Sequence, residues 1–195
     1  MSAHLPLPPW PITAPAFGRV QLRQVRDSDV VMARELSVDP YVPLIGSLPS
    51  EGSLEELMNW IRRQQGRHAE GTGFAFTIAD AVDDAPLGHC GLWLRELAQG
   101  RASAGYAMAP SARGRRLAAD ALIALTRFAW TVEGLHRIEL YIEPWNVASI
   151  RTAEAAAYAH EGTLRSHQEI DGRRRDMDLY ATLRPCLGTV SSSSS

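Results

Sequence analysis

The sequence predicts a single α/β (α+β) domain, built on a mixed and mostly antiparallel sheet of seven strands with about four helices. The chain has 195 residues, of which 45% are hydrophobic, and this suits one domain with a sizeable core. Short apolar segments alternate with turn residues, which is typical of strands. Apolar residues recur at helical spacing only in a few longer segments, the clearest being residues 117–132.

The predicted elements follow each other in a definite order: strand, two helices, three strands, helix, strand, helix and two strands. The strands are predicted at residues 20–25, 74–79, 87–94, 102–109, 138–142, 159–170 and 174–183. The helices are predicted at residues 30–36, 53–67, 117–132 and 147–156.

Local signals mark several of these boundaries. Ser53 and Glu56 form a capping-box pattern at the start of the second helix. Gly134 ends the third helix, and Asp171-Gly172 predicts a hairpin turn between the last two strands. Residues 39–49 contain three prolines and are predicted to form an irregular loop.

The two ends of the chain have a composition unlike the rest. Five prolines within residues 1–16 predict a proline-rich N-terminal extension, and serines dominate residues 188–195, which predicts a flexible tail. The folded domain is therefore expected at residues 17–187.

Composition narrows the function classes. The formal net charge is −2, so the basic field that drives nucleic-acid binding is missing. The two cysteines, Cys90 and Cys186, form no disulfide framework, and the six histidines show no metal-ligand spacing, so we expect no metal. The chain lacks an apolar run long enough to span a bilayer and the basic start of a signal peptide. We therefore expect a cytoplasmic protein that does not bind membranes.

A strand–helix–strand crossover at residues 102–142 predicts one parallel pair within the antiparallel sheet. Ligands bind at the carboxyl ends of such strands, where the helix N-terminus also points. Arg113-Gly-Arg-Arg-Leu-Ala118 presents successive backbone amides there, with Gly114 allowing close approach and three arginines adding donors for a diphosphate. The alternative for this arginine-rich turn is a solvated surface.

Two motifs resemble the GNAT acetyltransferase superfamily. Pro110-Ser-Ala-Arg-Gly-Arg-Arg-Leu-Ala118 is similar to its acetyl-CoA loop, and Trp145-Asn-Val-Ala-Ser149 followed by Tyr158-Ala-His-Glu-Gly162 resembles the Rim-type ribosomal-protein N-terminal acetyltransferases. The resemblance covers residues 20–183. It implies a GNAT fold with the parallel strand pair at the cofactor site, and acetyl-CoA as co-substrate. The implied cofactor-binding residues are Met108, Ala109, Arg113, Gly114, Arg115, Arg116, Leu117, Ala118, Asn146 and Ser149.

The sequence departs from the family pattern at several positions. Arg116 occupies a position where the family has glycine or alanine, Ser111 replaces a glutamine or arginine, and Ala157 replaces a glycine. The tyrosine that many GNAT enzymes use as general acid would fall at Ala153. Ser149 is then the better candidate for that acid, while helix capping is its alternative role, as it is for Asn146.

The resemblance also implies a base and an acceptor cleft. Glu169 and His167 lie near the position of a carboxylate base in the Rim-type relatives, although Gln168 takes the ungapped place, and a solvated edge strand is the alternative for both residues. Alternation along a strand puts Glu169 and His167 on one face. Because loops with prolines and exposed aromatics commonly carry specificity, Tyr41, Pro43 and Leu44 are expected to shape the acceptor cleft together with the second helix.

The resulting hypothesis is an acetyl-CoA-dependent N-acetyltransferase that acts on a primary amine, most simply the N-terminal α-amine of a protein or peptide. One alternative is acetylation of a small amine such as an antibiotic or polyamine. Another is a non-catalytic acyl-CoA-binding sensor, which the departures at Arg116 and Ala153 keep open. A homodimer is also left open, because the sequence carries no signal for the oligomeric state.

Overall fold

The sheet of the protein is mixed, as predicted, but it has eight strands rather than seven. A computed structural model describes residues 7–185. Its strands are β1 (Ala16–Phe17), β2 (Val20–Gln24), β3 (Gly73–Asp80), β4 (Pro86–Trp93), β5 (Arg101–Met108), β6 (Arg137–Ile142), β7 (Ala159–Ile170) and β8 (Arg173–Leu183). They lie in the order β1-β2-β3-β4-β5-β6-β8-β7.

The additional strand, β1, forms a short hairpin with β2. Phe17 pairs with Val20, and the turn between them contains Gly18 at φ 56°, in the left-handed region that glycine tolerates. Just before it, Trp10 packs against the rings of Phe74 and Phe76, with centroid distances of 5.6 and 4.9 Å. This part of the proline-rich segment therefore contacts the core, while residues 1–6 and the predicted tail at 188–195 lie outside the described residues.

Five α-helices accompany the sheet, one more than predicted. They are α1 (Val30–Ser37), α2 (Val42–Ile45), α3 (Leu54–Gly66), α4 (Leu117–Ala129) and α5 (Val147–Ala155). The predicted capping box of α3 is present, since Ser53 Oγ accepts from Glu56 N–H and the Glu56 carboxylate accepts from Ser53 N–H.

The helix α2 corrects the prediction that residues 39–49 form an irregular loop. Asp39 Oδ1 accepts hydrogen bonds from the N–H groups of Tyr41 and Val42, at 2.8 and 2.9 Å. Pro43, in the first turn, has the φ angle that a helix start requires. An aspartate that accepts from amides two and three residues later, followed by proline, was the local signal for this single turn.

Helices cover both faces of the sheet. On one face, Phe128 of α4 makes edge contacts with Phe74 and Phe76 of β3, at 4.8 and 5.3 Å between ring centroids. On the other face, Trp60 of α3 contacts His89 of β4 at 5.0 Å. The strands in the middle of the sheet are therefore buried on both sides, which explains their nearly continuous apolar sequences.

The predicted crossover is confirmed. Strand β5 leads into α4 and then into β6, which pairs with β5 in parallel through only three residue pairs, ending at Ser103 and Glu139. All other neighbouring strands pair antiparallel.

A buried ionic network joins the first helical turn to the sheet. The carboxylate of Asp29 accepts from both terminal nitrogens of Arg23 at 2.9 and 2.8 Å, from Thr77 Oγ1 at 2.7 Å and from Arg26 N–H at 2.8 Å. Burial alone would raise the pKa of Asp29, but the hydrogen bonds from Arg23, Thr77 and Arg26 outweigh it, so the pKa lies below its ordinary value of 3.8.

Replacing Asp29 should destabilise the fold strongly. Asp29→Ala leaves the buried guanidinium of Arg23 without its main partner, and we expect a loss of about 3–5 kcal/mol in the free energy of unfolding, measured by urea denaturation. Because the folded-state pKa is depressed, the contribution of Asp29 is present above pH 3.8 and is lost as the pH falls through that folded-state pKa. The exposed variant Glu133→Gln serves as control, and equal stabilities of the two variants would contradict this role.

Candidate active site

The site begins where β5 and β6 separate. After the Ser103–Glu139 pair, the edge of β5 that faces β6 has no strand partner. Ala109 N–H donates to Leu87 O on the opposite side, at 2.9 Å. Since N–H groups alternate between the two edges of a strand, the N–H of Met108 points into the gap between β5 and β6.

A first cavity, of about 910 Å³, opens on the α4 side of this gap. Residues of the predicted cofactor turn line it, together with Met108, Asn146 and Ser149: Arg113, Gly114, Arg115, Arg116, Leu117 and Ala118. Of the predicted cofactor-binding residues, Ala109 is not part of this lining; it is buried, with its N–H bound to Leu87.

The turn before α4 has the shape that an anion site needs. Gly114 adopts φ 76°, and a side chain built on it would meet no other atom within 4 Å, so the backbone is openly accessible there. Arg116 precedes the first residue of α4 and adopts the left-handed conformation at φ 63°. Arg116 stands where the family pattern has glycine or alanine. The chain accommodates it there in a backbone conformation that costs a non-glycine residue roughly 1–2 kcal/mol. The free amides of the α4 N-terminus fit a diphosphate.

The arginines of this turn do not all serve the same purpose. Arg113 binds Asp39 Oδ2 at 2.7 Å, and its Nε donates to Met108 O at 3.1 Å. It therefore links the turn to β5 and to the start of α2. Arg115 and Arg116 are exposed and line the cavity, as does Arg151 on α5, so these three are better placed to meet an anionic ligand.

Asn146 and Ser149 lie at the centre of the site. The Asn146 side chain caps α5 by accepting from Ser149 N–H at 3.1 Å, which confirms the capping role. Both residues also line the first cavity and a second one beyond the gap. Tyr106 of β5 also lines both cavities, and its hydroxyl donates to Ser149 O at 3.4 Å. Burial raises the pKa of Tyr106, so its phenol stays protonated at neutral pH.

The second cavity, of about 630 Å³, opens on the α3 side of the sheet. It shares Tyr41, Tyr106, Asn146 and Ser149 with the first cavity, so the two meet at the separation of β5 and β6. Its charged or ionisable lining side chains are Arg67, Arg95, His89 and tyrosines, and none of its lining residues, all from residues 7–185, is aspartate or glutamate.

Of the three predicted acceptor residues, the structure brings Tyr41 to the site. Its ring contacts Trp145 at 4.9 Å, and burial together with a hydrogen bond to Glu143 raises its pKa. Val42 and Ile45 of α2 line both cavities, whereas Pro43 and Leu44 lie on the side of this short helix that lines neither. The predicted loop had no periodicity from which these two sides could be distinguished.

The predicted base residues lie outside both cavities. Glu169 and His167 are exposed, and the His167 ring stacks on Tyr141 at 5.1 Å, whereas Gln168 lines the second cavity. The β7–β8 register shifts between Leu164 and Gln168, and Ser166 adopts φ 53°. The structure therefore presents to the cavity a neutral amide, which cannot accept a proton at neutral pH.

Several residues that border the cavities carried no sequence signal. Tyr106 belongs to an ordinary strand pattern and Asp39 to a proline-rich segment. Nothing in the spacing of residues along α3 or β4 singles out Trp60, Arg67 or Trp93. Two glycines of adjacent strands, Gly91 and Gly105, leave room for the Trp93 indole, which a side chain at either position would approach within 3.0–3.1 Å. Pairing of Gly91 with Gly105 is visible only in the folded sheet.

Comparison with known proteins places the chain in a family. The sequence profile of the acetyltransferase (GNAT) domain matches residues 19–158, which is most of the chain. In the structure, the sheet opens between a parallel pair of strands. The turn before α4 lies on one side of this opening and the second cavity on the other. The protein belongs to the GNAT N-acetyltransferase family and is an acyltransferase, and members of this family use acetyl-CoA.

Individual relatives agree with this assignment. The uncharacterized N-acetyltransferase p20 of Bacillus licheniformis is 26% identical over 166 residues, which is 85% of this chain and 93% of p20. Mycobacterium smegmatis RimJ, solved with CoA-disulfide, is 26% identical with a TM-score of 0.74, covering 92% of this chain and 88% of RimJ. RimL, a ribosomal L7/L12 α-N-protein acetyltransferase solved with coenzyme A, is 21% identical with a TM-score of 0.74, covering 87% and 97%, and shares the fold.

Membrane-spanning helices and metal clusters are both missing from the described part of the chain. No helix within residues 7–185 has both the length and the apolar character needed to cross a bilayer. In the same part of the chain, no group of three or more histidine, cysteine, aspartate or glutamate side chains is arranged to hold a metal ion.

The Asp39–Arg113 link predicts a separation between effects on the two cavities. Asp39→Ala removes the carboxylate that caps α2 and binds Arg113. Asp39 lines the first cavity and holds Arg113 of its turn, and losing such a cap costs about 1 kcal/mol, so we expect acetyl-CoA affinity, measured by calorimetry, to fall up to about fivefold. The acceptor KM should change less, because Asp39 does not line the second cavity.

Asp83→Ala is the matched control, since Asp83 also caps a turn, through Ala85 N–H at 3.0 Å, but does not line either cavity. An equal loss of affinity for both substrates in Asp39→Ala would contradict a role specific to the first cavity.

Proposed function

We propose that the protein transfers an acetyl group from acetyl-CoA to the N-terminal α-amine of a peptide or protein. The observation that carries this proposal is the meeting of two cavities at the separation of β5 and β6, beside Ser149. The larger cavity has the amide-rich turn and exposed arginines that suit the diphosphate of a CoA. The other has room for an acceptor that enters from the opposite side of the sheet.

Acetyl-CoA, when bound, supplies the thioester carbonyl that the acceptor amine attacks. The chain contributes a hydrogen-bond donor for that carbonyl, the Met108 N–H, because this amide faces the gap and has no strand partner there. Arg113 holds the same peptide unit from the neighbouring turn by donating to Met108 O. A donor fixed in this way stabilises negative charge on the carbonyl oxygen without reorganisation.

Ser149 is assigned as the proton donor to the leaving thiolate. Its hydroxyl is at the junction of the two cavities, while its backbone N–H is held by Asn146 and its carbonyl oxygen accepts from Tyr106. The first turn of α5 is thereby fixed on both sides, and Tyr106 is a positioning residue. Tyrosine at the usual position is impossible here without repacking, because Ala153 is fully buried.

The electrostatics of the second cavity favour an α-amine as acceptor. With no carboxylate in its lining, the cavity offers no evident base, and His89, whose pKa burial and Arg67 lower to about 4, is a weak one. The amine must then arrive neutral. At pH 7 about a tenth of an α-amine with a pKa near 8 is neutral, against less than about 0.1% of a lysine side chain. RimL, a ribosomal L7/L12 α-N-protein acetyltransferase that shares the fold, has an acceptor of this class.

Removal of the Ser149 hydroxyl tests the proposed proton donor. Ser149→Ala should lower kcat roughly a hundredfold, the lower end of what a positioned acid contributes, because the thiolate leaves without a proton donor. Acetyl-CoA affinity should stay the same, since the variant keeps the backbone N–H of residue 149 that donates to Asn146 Oδ1 and so keeps the cap of α5. Thiol release during peptide acetylation measures kcat, with Ser28→Ala, an exposed serine, as control. An unchanged kcat would exclude Ser149 as the acid.

The requirement for a neutral amine predicts a pH dependence. For a peptide substrate, kcat/KM should rise about tenfold per pH unit below the pKa of the α-amine, near 8, and level off above it. Initial rates of thiol release across this range measure the profile. A plateau that begins near pH 6 would instead require a base of low pKa within the protein.

A further inference from the structure

Resting on the proposed function, we propose that the acceptor carries an anionic group close to its amine, and that Arg67, Arg95 and Gln64 bind this group. For a peptide acceptor the anion is an acidic side chain within the first few residues. The proposal therefore names a preference for acidic N-terminal segments over neutral or basic ones.

The charge of the acceptor cavity supports this preference. Arg67 and Arg95 both line it, and within residues 7–185 neither forms a salt bridge with an acidic residue. Two guanidinium groups on one wall, opposed by no carboxylate of the lining, produce a positive potential inside a partly enclosed space. Such a cavity attracts a carboxylate and repels a polyamine.

The arrangement of Arg67 prepares it for a ligand. Its guanidinium lies over the Trp93 ring, with Cζ 5.9 Å from the centroid, and its Nε donates to Gln64 Oε1 at 2.7 Å. The fork of the guanidinium that binds carboxylates is on the remaining two nitrogens. Burial, followed by the nearby charge of Arg95, lowers the pKa of Arg67, and the Glu70 carboxylate offsets this only in part, so an anion between the two arginines would relieve a remaining repulsion.

An unpartnered donor provides a second, independent observation. Gln64 is 3% exposed and lines the same cavity, yet its Nε2 has no hydrogen-bond partner among the described residues. Its Oε1 is already engaged by Arg67, so the free end of the amide is a donor. A buried amide donor without an acceptor is costly, and a carboxylate bound by the adjacent Arg67 would satisfy it.

Matched peptides test the proposal. Acetylation and calorimetric binding, in the presence of CoA, are compared for peptides with Asp, Asn or Lys at each of the first three positions. At the best position we expect kcat/KM for Asp to exceed that for Asn about tenfold, since a hydrogen-bonded carboxylate contributes on that order. Added salt should reduce the ratio, because Arg95 is exposed.

Charge-neutral variants assign the effect. Arg67→Gln and Arg95→Gln should each lower the Asp/Asn ratio severalfold, because the Asp peptide loses more than the Asn peptide does, and a thermal unfolding midpoint close to that of the wild type shows that the variants are folded. Arg62→Gln, on the outer side of α3, removes the same charge away from the cavity and should keep the ratio. A ratio of one or less in the wild type at every position, or a ratio that survives in both cavity variants, overturns the proposal.

Free amino acids, their amides and spermidine separate this proposal from the proposed function. If no peptide is acetylated but free amino acids are preferred to their amides, the anion site stands and the peptide acceptor is wrong. If peptides are acetylated without regard to charge, the peptide acceptor stands and the anion site is wrong. Where no acceptor turns over, the binding measurement decides, and failure of acidic peptides to bind more tightly than neutral ones contradicts the anion site.

Discussion

The chemistry of this fold depends on the early end of one pairing between parallel strands. Only three residue pairs join β5 to β6 before the strands diverge. Strands that stayed paired would satisfy the N–H of Met108 within the sheet and close the passage between its two faces. Because they separate, a backbone donor is left free and two cavities on opposite faces meet there. The crossover helix α4 begins at the same end, so its free amides face the first cavity.

A small set of polar contacts keeps this opening in place. Arg113 ties the anion turn to Met108 O and to Asp39, and Asp39 in turn caps α2, whose residues border both cavities. On the other side of the gap, Tyr106 and Asn146 hold the first turn of α5. Together these contacts connect the turn before α4, β5, α2 and α5 around the opening. The two substrate sites are therefore parts of one polar framework on a rigid, doubly covered sheet.

The two cavities differ in their electrostatics although they share four polar residues. Backbone amides and exposed arginines dominate the first, as suits a diphosphate. The second combines aromatic walls with Arg67 and Arg95 and has no carboxylate. This asymmetry bears on both the protonation state and the charge of an acceptor, since a positive wall disfavours ammonium ions and favours an anionic neighbour of the amine.

The sequence by itself determined the order of the seven longer strands and the four longer helices, the crossover, the capping box at Ser53 and the start of α4 after residues 113–116, because these depend on local periodicity and capping. It missed the two-residue strand β1 and the single-turn helix α2. The motifs around Asn146 and Ser149 were also sufficient for the family. Only the tertiary structure decided which side chains line the two cavities. A register shift in β7 turned Gln168, rather than Glu169 or His167, toward the cavity. Arg113 proved to bind Met108 and Asp39 within the protein, and the end of α3, with Gln64 and Arg67, came together with Tyr106 of β5 at one cavity. Such placements depend on contacts between residues far apart in the chain, which local patterns do not encode.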